Sequence, residues 1–150
     1  MIVIRDRVRF VETDTMGVVH HSKYLHWFEM GRAELLRAAG MSLNDLMDAG
    51  ILFPIASVEV KYKNSCKYDD EYEVQTSLTA LSKIKMDFDQ KVIRLRDGAV
   101  AAEGKLRCVF TDKNGKPINR NRLVALASYI ALKDCPGGIV VTDSVTSDCL

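Results

Sequence analysis

The sequence predicts an α+β protein in which one long apolar helix is wrapped by a curved antiparallel sheet of about five strands. Three observations lead there. Residues 22–39 carry a helical apolar period over about five turns. From 55 to 111 four stretches alternate apolar and polar residues with no long helix between them. One further alternating stretch opens the chain at 2–10. Consecutive strands joined by short turns must run antiparallel.

The first strand places Ile2, Ile4, Val8 and Phe10 on one side. A loop with Glu12, Asp14 and Gly17 follows, and a helix begins at about Ser22, which is suited to cap it, with Gly40 suited to the C′ position. Tyr24, Phe28, Leu35 and Ala39 form its main stripe. Leu25, Trp27, Leu36 and Ala38 widen that stripe enough to suggest a largely buried helix. Ser42-x-x-Asp45 has capping-box spacing and opens a short helix ending near Gly50. Strands are then expected over 55–63, 71–80, 84–95 and 99–111. Asp97-Gly98 signals a two-residue hairpin, and Asn114-Gly115 with Pro117 ends the run. A second helical piece is expected over 121–133, with a tail of unknown role over 136–150. The domain is thus read as 1–135, with its core in 1–117.

Composition narrows the function. Hydrophobic residues make up 47% and charged residues 27% of 150, the mixture of one globular domain. A formal net charge of +1 with no block of like charges argues against nucleic acid as a partner. MIVIRDRVRF has no apolar core of a signal peptide, and no run approaches the ~20 apolar residues of a membrane span. Cys66, Cys108, Cys135 and Cys149 form no Cys-x-x-Cys pair. A cytoplasmic setting follows, with Cys108 as a small buried apolar residue.

The chemistry concentrates in FVETDTMGVVHHSKYLHWFEMGR, residues 10–32. Two carboxylates precede a glycine, and two histidines stand before a helix start, where unpaired N–H groups and a positive dipole end are available. An aspartate is ionised at neutral pH unless strongly buried, which suits a base or nucleophile rather than an acid. On spacing alone, bonding loop N–H groups is the commoner job of an aspartate before a glycine turn, and it outweighs a catalytic reading of Asp14. Glu12 reads as a strand-end charge or a loop brace. A metal site at His20 and His21 is not expected, because adjacent histidines on an extended segment point opposite ways. Lys61, Lys63 and Lys67 fit either a solvated strand edge or a phosphate-binding role.

Glu12-Thr13-Asp14-Thr15-Met16-Gly17-Val18-Val19-His20-His21, with Tyr24 and Phe28-Glu29 beyond, resembles the hotdog-fold acyl-CoA thioesterases of the 4-hydroxybenzoyl-CoA thioesterase-like branch. The resemblance covers about residues 1–117. It implies hydrolysis of an acyl-CoA thioester to free acid and CoA, without a cofactor or metal. It implies Asp14 as nucleophile or general base and the His21 N–H as the group that polarises the thioester carbonyl. Gly17, Val18, His20 and Tyr24 are implied as substrate-contacting residues. It also implies a homodimer or homotetramer with the site at the dimer interface. A hydrolase of acyl-carrier-protein thioesters and a non-catalytic acyl-thioester-binding module are the competing readings.

Overall fold

A computed structural model describes residues 1–40, 42–82 and 84–118. The helical piece expected over 121–133, Cys135, Cys149 and the tail from 136 lie outside the described residues. The described elements are β1 (Ile2–Arg7), a 3-10 turn (Phe10–Glu12), α1 (His21–Ala38), α2 (Leu43–Asp48), β2 (Ile55–Tyr62), β3 (Glu71–Leu81), β4 (Lys85–Arg94) and β5 (Ala99–Val109). The five strands form one sheet in the order β1-β3-β4-β5-β2, with every pair antiparallel. This is the α+β architecture that the alternation predicts. Register shifts between Leu78 and Ala80 and between Val92 and Ile93 add local twist, bending the sheet around the helix.

The first strand is shorter than its alternation suggests. Val8 is buried, but Phe10 has left the sheet and is 77% exposed, its ring edge-on to Tyr68 at 5.9 Å. Local bonds compete with the ladder there: Arg9 N–H donates to Glu12 Oε2 at 2.8 Å, and Thr13 Oγ1 donates to the Phe10 carbonyl at 2.8 Å. The long helix starts one residue before the expected place. His20, not Ser22, is its N-cap: His20 Nδ1 accepts the Ser22 N–H at 3.3 Å. Gly40 has the expected C′ conformation, with φ +79°. Helix α2 carries the expected capping box, Ser42 and Asp45 exchanging bonds of 2.8 and 3.1 Å.

Burial of α1 is narrower than its composition suggests. Tyr24, Trp27, Phe28, Gly31, Arg32 and Leu36 are buried, Leu25 and Leu35 only partly, and Ala38 is exposed. A single sheet offers one face, so the rest of the helix stays outside the core. Trp27 stacks on Tyr72 with centroids 3.9 Å apart. Phe28 is fully buried, and such burial contributes on the order of 1.5–3 kcal/mol per large apolar side chain. The inward residues of the sheet include Val74, Thr76, Phe88, Gln90, Val92, Ala102, Leu106 and Cys108. The outward face is charged, with cross-strand pairs such as Arg5–Glu73 at 3.2 Å and Arg107–Asp87 at 2.7 Å.

Two expected details differ. The β4–β5 turn occupies residues 95–98 rather than two residues, because Arg94 grips Asp97 with bonds of 3.0 and 2.6 Å and Gly98 takes φ +68°. Strand β2 alternates in sequence but is largely exposed on both faces, because it lies at a sheet edge that meets α1 at the helix's first turn through Tyr62.

The closest approach of helix to sheet depends on Gly31. A Cβ there would lie 2.3 Å from Thr76 Oγ1. Gly31→Ala is therefore expected to push α1 outward and destabilise the fold by about 1–3 kcal/mol, despite alanine's better helix propensity. Urea unfolding of the two proteins measures it.

Candidate active site

The segment from 13 to 19 is a tight loop that folds back on itself. Thr13 and Val19 form an antiparallel bridge. Within it, Asp14 N–H donates to Val18 O at 2.9 Å and Gly17 N–H donates to Asp14 O at 3.0 Å. Gly17 adopts φ +75°, a conformation that side chains with a Cβ rarely take, with open space around it. The partly buried Asp14 uses Oδ1 to accept the Met16 N–H at 2.8 Å. Its Oδ2 has no partner among the described residues. The loop-bonding job is therefore done by one oxygen alone.

Two backbone bonds pin the return of this loop to the rest of the molecule. Val19 N–H donates to Cys66 O at 2.8 Å, and His20 N–H donates to Glu12 O at 2.9 Å. The chain then turns helical, so His21 sits at the first position of α1 with no acceptor for its N–H among the described residues. From the far side, Tyr62 of β2 donates its hydroxyl to the His21 carbonyl at 3.0 Å. The imidazoles of His20 and His21 lie side by side, centroids 4.1 Å apart. The opposite directions expected of an extended pair do not occur, because the chain leaves the extended state between them. Among the described residues no three His, Cys, Asp or Glu side chains converge as a metal would require.

Glu12 is a brace. Its Oε1 accepts Trp27 Nε1–H at 2.8 Å while its Oε2 holds the Arg9 N–H, tying the loop to the buried face of α1. Tyr24 is 3% exposed, edge-on to Trp27 at 5.0 Å and Tyr62 at 5.4 Å, and its hydroxyl accepts the Cys66 N–H at 3.3 Å. Burial pushes the hydroxyls of Tyr24 and Tyr62 and the thiol of Cys66 upward, so all three are neutral around the site. Val18, within the loop, is partly buried. Lys61 and Lys63 pair with Glu59 at 3.3 Å and Glu103 at 2.8 Å, as a solvated strand edge would, and Lys67 is exposed. Sequence reasoning missed Tyr62 and Cys66. Tyr62 read only as one member of an alternation, and no local pattern announces that a strand 41 residues away would hold the helix start.

A five-stranded antiparallel sheet around one long helix, with an acid-bearing glycine loop at the helix start, defines a class of enzyme. The chain belongs to the thioesterase-like superfamily, whose family model matches residues 8–132. Among relatives, the acyl-CoA thioesterase YbgC of Haemophilus influenzae is 32% identical over 113 residues, 75% of this chain and 82% of that protein. Among solved structures, the DHNA-CoA thioesterase of Staphylococcus aureus matches with a TM-score of 0.76 at 28% identity, covering 92% of this chain and 95% of that one. The gentisyl-coenzyme A thioesterase BH1999 matches at 0.69 and 26% identity, covering 75% and 89%. The protein is thus a thioesterase with the hotdog fold. No helix among the described residues is long and apolar enough to cross a membrane.

The Glu12 brace can be tested alone. Glu12→Ala leaves the buried Trp27 N–H without an acceptor and is expected to cost about 1–3 kcal/mol. The chain has a single tryptophan, so unfolding followed by its fluorescence measures both the loss and the changed environment.

Proposed function

We propose that the protein hydrolyses an acyl-CoA thioester to a free carboxylic acid and CoA, with Asp14 as general base or nucleophile and the His21 N–H polarising the carbonyl. The observation that carries this is the split use of the Asp14 carboxylate. One oxygen is anchored at Met16 N–H and the other is unengaged, on a loop that ends at an open helix N–H. As a base, Asp14 takes a proton from the water that attacks the carbonyl. As a nucleophile, it forms an acyl anhydride that water then cleaves. Either route expels the CoA sulfur as the leaving group, which takes up a proton to become the thiol. A positioned base supplies roughly 10²–10⁴-fold and one oxyanion donor roughly 10²–10³-fold. A thioester is already activated, so these terms suffice. The acyl-CoA thioesterases among its relatives support CoA as carrier.

The site is proposed to be completed by a second copy of the chain. Strand β2 presents an unpaired edge beside the His21 site, with Ile55, Val58 and Tyr62 45–52% exposed. An open edge with apolar residues invites another strand. Gly17, Val18 and His20 line the approach in this reading, while Tyr24 packs behind it.

Asp14→Asn retains the Oδ1 acceptor for Met16 N–H but cannot take a proton or attack. It is expected to lower thiol release from acyl-CoA by about 10²–10⁴-fold with an unchanged thermal midpoint. Full activity in that variant contradicts the assignment. Binding of acyl-CoA without turnover by the unmodified protein would favour a non-catalytic module.

A further inference from the structure

Helix α1 lies over β1, β3 and β4 and extends over β5 only through side chains. The Phe28 ring rests on Gly104, where an added Cβ would come within 2.5 Å of it. One turn further along, Arg32 reaches past Gln90 to where its charge and the Cys108 thiol influence each other. Beyond β5, the inner face of β2 is left open. Val58, Val60 and Tyr62 stand directly opposite Leu106, Gly104 and Ala102, so they share the helix-facing side. Val58 is nonetheless 45% exposed and Tyr62 49%. The result is a trough about 13 Å long, from Tyr62 to Val58 at the usual strand rise. Its floor is apolar, Tyr62 and His21 stand at one end, and Val58 at the other lies across from Leu106 of β5, two residues before the Cys108 thiol that the Arg32 charge reaches.

Arg32 is the anomaly of this core. It is 7% exposed, yet its only hydrogen bond among the described residues runs from Nη1 to Gln90 Oε1 at 3.0 Å. A guanidinium has five N–H donors. No carboxylate bonds to it among the described residues, and Glu29, one turn back on α1 and exposed, acts on it only through its charge. Gln90 cannot swing away to improve matters, because its Nε2 donates to Phe28 O and Thr76 Oγ1, both at 2.8 Å. A buried cation with so few partners is costly unless an acceptor reaches it.

We propose that the trough along β2 is the acyl channel and that Arg32 binds an oxygen acceptor, a carboxylate or hydroxyl, at the end of the acyl group remote from the thioester. This rests on the hydrolase reading above and adds the substrate class. The Val58–Val60 floor holds the apolar middle of the acyl group. The fixed Gln90 presents the guanidinium in one orientation, as a planar fork requires.

The test is steady-state thiol release from pairs of acyl-CoA thioesters matched in length, one ending in methyl and one in carboxylate or phenol. The unmodified protein is expected to favour the oxygen-tipped member by about tenfold or more in kcat/KM, mainly through KM. Arg32→Met should erase that preference while still turning over the methyl-tipped member, and Arg32→Lys should keep part of it. Val58→Trp should raise KM for long acyl groups of both kinds relative to short ones, in protein whose association state, measured by light scattering, matches that of the unmodified chain. That variant and Arg32→Lys decide the matter if Arg32→Met does not fold. No preference in the unmodified protein, the same preference in Arg32→Met, or no chain-length effect of Val58→Trp overturns the proposal. No cleavage of any thioester overturns the hydrolase reading itself, and this assignment with it.

Discussion

The seating of α1 on the inner face of the sheet is the constraint on which the rest depends. Gly31 lets the helix backbone approach Thr76 more closely than any side chain would allow. On either side of that point Trp27 stacks on Tyr72 and Phe28 lies over Gly104. Gln90 adds a directional bond to the Phe28 carbonyl, which apolar packing alone cannot provide. The helix is held in depth by sterics and along its axis by a hydrogen bond. Its first residue, His21, is therefore placed by contacts far from itself.

The contacts around the helix start carry that placement into the proposed site. Glu12 couples the loop to Trp27, Cys66 holds Val19, and Tyr62 holds the His21 carbonyl. These contacts engage groups other than Asp14 Oδ2 and the His21 N–H. An N–H at a helix start is also pre-oriented, and a donor that need not reorganise is worth more to a developing oxyanion than one in water. Among the described residues the second Asp14 carboxylate oxygen and the His21 amide are left without a hydrogen-bond partner.

Much of this was legible in the chain because the governing signals are local. The four alternating stretches locate β2 to β5, and Ser42-x-x-Asp45 locates α2 with its cap. The errors came where a tertiary or side-chain contact overrides a period. Phe10 leaves the strand because Thr13 bonds its carbonyl and Glu12 takes the N–H of Arg9 before it. His20 takes the cap from Ser22 because its ring nitrogen reaches the Ser22 N–H. The width of the apolar stripe on α1 overstated its burial, since hydrophobicity records what can be covered rather than how many faces the sheet supplies. In the site, Asp14, Gly17 and His21 stand on one short stretch and could be read together. Tyr62, Cys66 and the Arg32–Gln90–Thr76 layer come from separated elements, so they exist as a unit only after folding.

The most direct test of the central claim is an amide NMR titration with an acyl-CoA analogue in which a methylene replaces the thioester sulfur. Such a ketone keeps the carbonyl and cannot be cleaved. On saturation the His21 amide proton should move strongly downfield, as a new hydrogen bond to the carbonyl requires, with the Met16 amide responding through Asp14. Saturable binding that leaves the His21 amide unmoved would show that the helix start does not hold the reacting carbonyl, and would contradict the account.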